Sequence, residues 1–98
     1  MVTFDFIQFG KDLGTRQLGA QARMALLPLL QSHDKVVLNF NGVNVVSNSF
    51  ADECIAKLLI EMSLDELKSK TTFDGLNPIA KESVLTAIQR RYIALQSA

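Results

Sequence analysis

The pattern of apolar and polar residues predicts two strands and a helix in the first forty residues. Residues 2–9, VTFDFIQF, alternate between apolar and polar side chains, which is typical of a strand. Residues 16–32 carry apolar side chains at helical spacing and predict a helix capped by Thr15, kinked or shortened at Pro28. The mostly apolar residues 35–40, KVVLNF, predict a second strand that lies inside a parallel sheet.

The second half of the chain predicts two helices, a strand and a last helix. Apolar residues recur four apart after Ser49 and indicate a helix, and a capping box at Ser63 begins a shorter one. Residues 70–75, KTTFDG, predict a third strand. Asn77 and Pro78 are a typical cap and first position of the final amphipathic helix.

The order of these elements is β-α-β-α-α-β-α, which predicts an open α/β fold with a small, mainly parallel or mixed sheet. Asn41-Gly42 is a hairpin signal, but the apolar segment after it is too short, so we predict no hairpin there. We expect one domain over residues 1–98, with the second strand central.

The composition excludes several classes of protein. Ten basic and ten acidic residues give no net charge, which is not typical of nucleic-acid binding. No segment is long and apolar enough for a membrane span or has the pattern of a signal peptide, so we expect a cytoplasmic protein. The one cysteine, Cys54, lies on an apolar stripe, and the one histidine, His33, has no partner ligands; we expect no metal or cofactor.

The triplet Ser47-Asn48-Ser49 interrupts the chain where a buried strand gives way to a helix. Ser49 and Asp52 have the spacing of a capping box, so Ser49 is our predicted cap, with Ser47 as a turn residue. A strand-to-helix turn in an open α/β sheet is also a place where binding groups are displayed, and a serine there can accept a phosphate. Local chemistry alone is consistent with both a helix cap and a turn that binds a partner or accepts a phosphate.

The run VVLNFNGVNVVSNSFADECIAKLL, residues 36–59, resembles the core signature of STAS domains, the fold of bacterial anti-sigma factor antagonists. It is most similar to a poorly characterised bacterial STAS-like branch, and the resemblance extends from about Phe9 to Arg91. The resemblance implies a non-catalytic regulatory module that docks through the turn and helix at residues 47–57. It also implies a protein partner with the histidine-kinase-like ATPase fold, acting as anti-sigma factor or kinase.

The residues that the antagonists use as a switch are altered in this chain. Their turn holds an Asp and two Ser residues, and the first Ser is phosphorylated; these positions correspond here to Ser47, Asn48 and Ser49. Because Asn48 cannot be phosphorylated, either Ser47 or Ser49 is a displaced phosphoacceptor or the switch is absent. We favour the second alternative, in which the domain binds its partner constitutively.

The predicted partner-binding residues are Asn48, Phe50, Glu53 and Lys57, with Arg16 near the turn. Glu53 and Lys57 are four residues apart on one helix face, and Phe50 lies three before Glu53. Phe50 also lies on the apolar stripe, so the sequence leaves it open as either core or interface.

Two alternatives to a docking module remain. One is a small ligand-binding or enzymatic α/β domain that uses the same turn, which a pocket lined by polar groups of residues 47–53 would favour. The other is a homodimer formed by exposed apolar helix residues. Asp52 and Glu53 do not form a catalytic carboxylate pair, because adjacent helix residues point about 100° apart.

Overall fold

The computed structural model describes residues 1–97 as five strands, four α-helices and two short 3₁₀ segments. The strands are β1 (Val2–Asp5), β2 (Asp12–Leu13), β3 (Val36–Asn39), β4 (Val45–Val46) and β5 (Thr71–Asp74). The helices are α1 (Arg16–Ser32), α2 (Asn48–Cys54), α3 (Leu64–Lys70) and α4 (Pro78–Gln96), and the 3₁₀ segments are Phe6–Phe9 and Ala56–Ile60. The α/β class and the approximate element order predicted from the sequence are confirmed.

The main sheet has three parallel strands in the order β1-β3-β5, with the predicted central strand β3 in the middle. Leu38 of β3 is fully buried between Phe4 of β1 and Phe73 of β5, its partners in register. Parallel strands need a crossover of a dozen or more residues, and α1 supplies it between β1 and β3. The helices α2 and α3 lie in the connection from β3 to β5.

The first strand is shorter than the sequence predicted. The strand ends at Asp5, and Phe6–Phe9 turns into a 3₁₀ segment. The reason is that β3, the strand beside it, ends at Asn39, so within the described residues the chain beyond Asp5 has no strand to pair with. The turn also places Phe6 in the core, where its ring stacks on Phe40 with centroids 4.0 Å apart.

A second, two-stranded parallel sheet was not predicted. Val45–Val46 form β4 and pair with Asp12–Leu13 of β2, an interaction between segments that are each only two residues long. The backbone N–H of Ser47 then donates to the carbonyl of Leu13 at 2.9 Å. This small sheet therefore fixes the point at which the chain enters α2.

The predicted cap of α2 is wrong by two residues. The Oγ of Ser47 accepts the N–H of Phe50 at 3.0 Å, and Ser49 is inside the first turn of the helix. Asp52 is correspondingly not a capping-box partner, because its carboxylate binds arginines instead. The extended backbone that a cap requires is set at Ser47 by the pairing of β4 with β2.

The predicted starts of the other three helices are confirmed. Side chains of Thr15, Ser63 and Asn77 each accept an N–H from the residue three positions later. The first helix continues four residues past Pro28 to Ser32, so the proline does not end it. The apolar stripe predicted as one helix after Ser49 is divided instead, because α2 ends at Cys54 and the 3₁₀ segment Ala56–Ile60 follows it.

Gly19 allows α1 and α2 to approach each other closely. The glycine is buried, and a Cβ at this position would lie 2.9 Å from the Cβ of Glu53 and 3.0 Å from the carbonyl oxygen of Phe50. Neither atom is at the end of a flexible side chain, so neither can move away easily. The contact between the two helices therefore depends on the absence of a side chain at position 19.

We predict that Ser47→Ala lowers the free energy of unfolding by about 1 kcal/mol, because it removes the acceptor of the Phe50 N–H. Urea denaturation measures the change. Ser49→Ala is the matched control and should have a smaller effect, since Ser49 caps nothing. A larger loss for Ser49→Ala would contradict the assignment of the cap.

We also predict that Gly19→Ala destabilises the domain. The overpacking of α1 against α2 costs roughly 1 to 3 kcal/mol, which outweighs the better helix propensity of alanine. Gly14→Ala is the control, because a Cβ at Gly14 meets nothing within 4 Å and its φ is not in the left-handed region. Thermal or urea unfolding should show Gly14→Ala to be neutral or slightly stabilising.

Candidate functional site

The candidate site lies where α2 begins. This helix packs against α1 on one side and α4 on the other, so most of it is buried. Asn48 at its first position is exposed, while Phe50, Ala51 and Cys54 lie in the core. The helix therefore reaches the surface mainly through its first turn.

Glu53 joins α2 to α1 through a cluster of ion pairs. Only 8% of the residue is exposed, and one carboxylate oxygen lies 2.8 Å from Nη1 of Arg23. The same arginine nitrogen donates to the backbone carbonyl of Glu53. Lys57 contacts the carboxylate at 2.9 Å from one turn further along, and Arg16 contacts it at 3.3 Å.

Asp52, the preceding residue, joins α2 to α4. Its carboxylate accepts from Nη2 of Arg91 at 2.7 Å and from Nη1 of Arg16 at 2.8 Å. Arg16 thus contacts both acids and links the two clusters into one network. The network ties together three helices that are far apart in the sequence.

The network keeps both carboxylates ionised. Hydrogen bonds from Arg23 and Lys57 lower the pKa of Glu53 to about 2, against the opposing effect of burial. Burial raises the pKa of Asp52, but hydrogen bonds from Arg91 and Arg16 outweigh it, so this pKa lies below its usual value. The hydrogen bond to Asp52 raises the pKa of Arg16. These groups are fixed charges at neutral pH.

An open cleft of about 430 Å³ lies beside the network, between the start of α2 and the second half of α4. Its walls are formed by Arg16, Asn48, Ser49, Asp52, Ala87, Arg90, Arg91 and Ala94. The small side chains of α4 open the cleft, and the polar groups line it. A cleft of this size is within the range of small-molecule sites.

The predicted partner-binding residues do not form one exposed patch. Phe50 is fully buried and makes an edge contact with the ring of Phe6, so it belongs to the core. Glu53 is also buried and saturated by cations, so it cannot face a partner. Asn48 is exposed and Arg16 is half-exposed, and these two remain available at the mouth of the cleft.

Three arginines of the site were not identified from the sequence. Arg23 lies seven residues after Arg16, on the same face of α1, and this spacing was the available signal. Arg90 and Arg91 lie near the end of α4, where cations commonly interact with the helix dipole; here Arg91 binds Asp52, and both arginines line the cleft. That contact joins residues 39 apart, which no local pattern indicates.

The remaining candidate groups lie outside the cleft. Cys54 is buried, and burial raises the pKa of its thiol to about 12, so it is not a nucleophile at neutral pH. His33 is exposed at the far end of α1. Within residues 1–97 no group of His, Cys, Asp and Glu side chains is placed to hold a metal ion, and no helix could cross a bilayer.

Comparison with known proteins gives one result. A sequence model of the family described as "STAS-like domain of unknown function (DUF4325)" matches residues 20–81, well over half of the chain. Comparisons with curated proteins and with solved structures found no significant match. The matched segment covers Arg23, the turn at residues 47–49 and both acids of α2.

The pKa of Glu53 predicts how stability depends on pH. Because the folded-state pKa is about 2 against an ordinary value of 4.5, the stabilisation is complete above pH 4.5 and is lost as the pH falls towards 2. Glu53→Gln should lower stability at neutral pH and reduce the slope of stability between pH 4.5 and 2 by up to about 1.4 kcal/mol per pH unit. Urea denaturation over this range measures both.

Glu61→Gln controls for the loss of one negative charge, since Glu61 forms no ion pair within residues 1–97. An equal change of slope in both variants would contradict the role assigned to Glu53.

Proposed function

Because this chain belongs to the STAS-like domain family, we propose that it is a non-catalytic regulatory module that binds another protein. The binding surface is the turn at residues 47–49 together with the neighbouring arginines of α1 and α4. This surface replaces the helix face that the sequence pattern suggested, because that face is buried.

The observation that carries the proposal is the set of contacts that orders this surface. Asn48 directly follows the cap residue of α2. Arg16 of α1 and Arg91 of α4 both donate hydrogen bonds to Asp52. A surface that is already ordered loses little conformational entropy when a partner binds. A fixed polar surface of this kind suits recognition of a protein.

The state of the acidic groups also supports a binding role. General acid–base catalysis requires a group whose pKa lies near the working pH. Asp52 and Glu53 have lowered pKa values and are engaged by cations, which suits structural charges better than catalytic ones. The thiol of Cys54 is buried and protonated.

The charge of the surface indicates the kind of partner. Arg16 and Arg90 are exposed on either side of the turn, so a partner with an acidic surface would be complementary. The resemblance to anti-sigma factor antagonists suggests a partner with the histidine-kinase-like ATPase fold, and a bacterial cytoplasm as the compartment. A reduced, buried Cys54 fits that compartment.

We further propose that docking needs no phosphate on the turn. Asn48 occupies the position that carries phosphoserine in the antagonists, and the Oγ of Ser47 already accepts a backbone N–H as the helix cap. Ser49 is partly buried in the wall of the cleft. Its role as a phosphoacceptor remains an alternative, which mass spectrometry of the protein from its native cell would decide.

A second candidate is a ligand-binding domain that uses the same turn. The observation in its favour is the cleft itself, which contains polar side chains of residues 48, 49 and 52, as expected for that alternative. The homodimer is a further prediction that stays open. Ile79, Leu85 and Ile93 of α4 are exposed apolar residues that could pair in it.

The docking proposal predicts the effect of two changes at Asn48. After affinity capture from the native cell and identification by mass spectrometry, the partner's affinity for purified variants is measured by calorimetry. Asn48→Asp should weaken binding by roughly 1 to 3 kcal/mol, because its carboxylate repels an acidic partner. Asn48→Arg should also weaken binding, because the bulk of its side chain in a fitted contact outweighs the added attraction of its charge.

Gln31→Glu is the matched control for the first change, because it also turns an exposed amide into a carboxylate. It lies near the end of α1, roughly 22 Å along the helix from Arg16, and should leave the affinity unchanged. Unchanged affinity in both Asn48 variants would show that the partner binds elsewhere.

A further inference from the structure

The cleft beside the network carries an uncompensated positive charge. Three of the residues that line it are arginines and one is an aspartate, so the lining has a net charge of +2. The chain as a whole has no net charge, so this concentration of cations is local. Like charges held close together are unfavourable unless an anion is present to balance them.

Asp52 does not balance these arginines, and the other acid that contacts Arg16, Glu53, is itself already paired with Arg23 and Lys57. Its carboxylate is shared between Arg16 and Arg91, and the side chain of Arg16 remains 54% exposed. Arg90 is exposed and forms no hydrogen bond or ion pair through its side chain within residues 1–97. Guanidinium groups present several N–H donors in a planar fork, a geometry that matches the oxygens of an anion.

We propose that this cleft binds a phosphate monoester in its dianionic form. The two negative charges of a dianion balance the net charge of +2 of the residues that line the cleft. A single carboxylate would leave one positive charge unbalanced. The Ser49 hydroxyl and the Asn48 amide line the same cleft and supply neutral donors. Its volume of about 430 Å³ accommodates the phosphate together with part of the molecule that carries it.

A second hollow shows where the rest of such a ligand would lie. This hollow, of about 300 Å³, shares Asn48 and Arg90 with the cleft and adds Glu82, Ser83 and Thr86, along with the apolar Ile79. The hydroxyl groups suit a polar remainder such as an alcohol or a peptide backbone. The Glu82 carboxylate disfavours a second anionic group there, so we infer one phosphate rather than a chain of them.

This inference rests on the second candidate function, ligand binding in the cleft, and not on protein docking. The docking proposal and the ligand-binding proposal can fail separately. The docking experiment measures the affinity for a captured protein, and the titration described next measures the binding of a defined small molecule.

The test is a titration of the full chain with glycerol 3-phosphate, monitored by ¹⁵N NMR. It is carried out at low salt and a pH of about 8, because a phosphate monoester is a dianion at that pH. We expect saturable shifts at the amides of Asn48 and Ser49 and at the Nε of Arg90. Arg90→Gln should weaken binding roughly tenfold, by loss of a charge-assisted hydrogen bond. It should leave the urea midpoint unchanged, because the Arg90 side chain forms no ion pair within residues 1–97. Lys68→Gln, an exposed lysine on α3, should leave the affinity unchanged.

Glycerol, acetate and sodium chloride at matched ionic strength are the ligand controls, and none of them should reproduce the saturable shifts. A phosphoserine peptide tests whether a protein can be the source of the phosphate; binding by either phosphate compound supports the inference. Shifts that follow ionic strength alone, or equal affinity of the native chain and Arg90→Gln, would overturn it.

Discussion

The rest of the structure depends on the ionised carboxylate of Glu53, held almost completely out of water. Burying a carboxylate costs several kcal/mol unless cations and hydrogen bonds surround it, and Arg23, Lys57 and Arg16 do so here. The close approach that allows this requires Gly19, whose missing side chain leaves room for the Cβ of Glu53. The space left by Gly19 and the ion pairs of Glu53 therefore both stabilise the packing of α1 against α2.

This constraint decides which charges remain at the surface. Both acids of α2 are bound by arginines of other helices, while Arg16 and Arg90 remain accessible beside the turn. A chain without net charge thus presents a cationic face at one place. Both the docking surface and the phosphate site that we propose use this face, which exists because the acids stabilise the helix packing.

The sequence allowed correct prediction of the features that short-range chemistry determines. Thr15 and Asn77 were identified as caps, and the apolar residues of β3 identified the central strand, because each signal lies within a few positions. The cap of α2 was misplaced because Ser47 and Ser49 both suit the role locally. The choice between them depends on the Ser47 N–H bound to the carbonyl of Leu13, a contact between residues 34 apart.

The ion pairs of the site are also contacts between residues far apart in the sequence, which local patterns do not reveal. Adjacent acids on a helix point about 100° apart, which was our argument against a catalytic pair of Asp52 and Glu53. The same divergence directs Glu53 towards Arg23 of α1 and Asp52 towards Arg91 of α4. Two neighbouring carboxylates can hold two different helices only because they diverge. What the sequence could not supply was the identity of those helices, since each partner is 30 or more residues away.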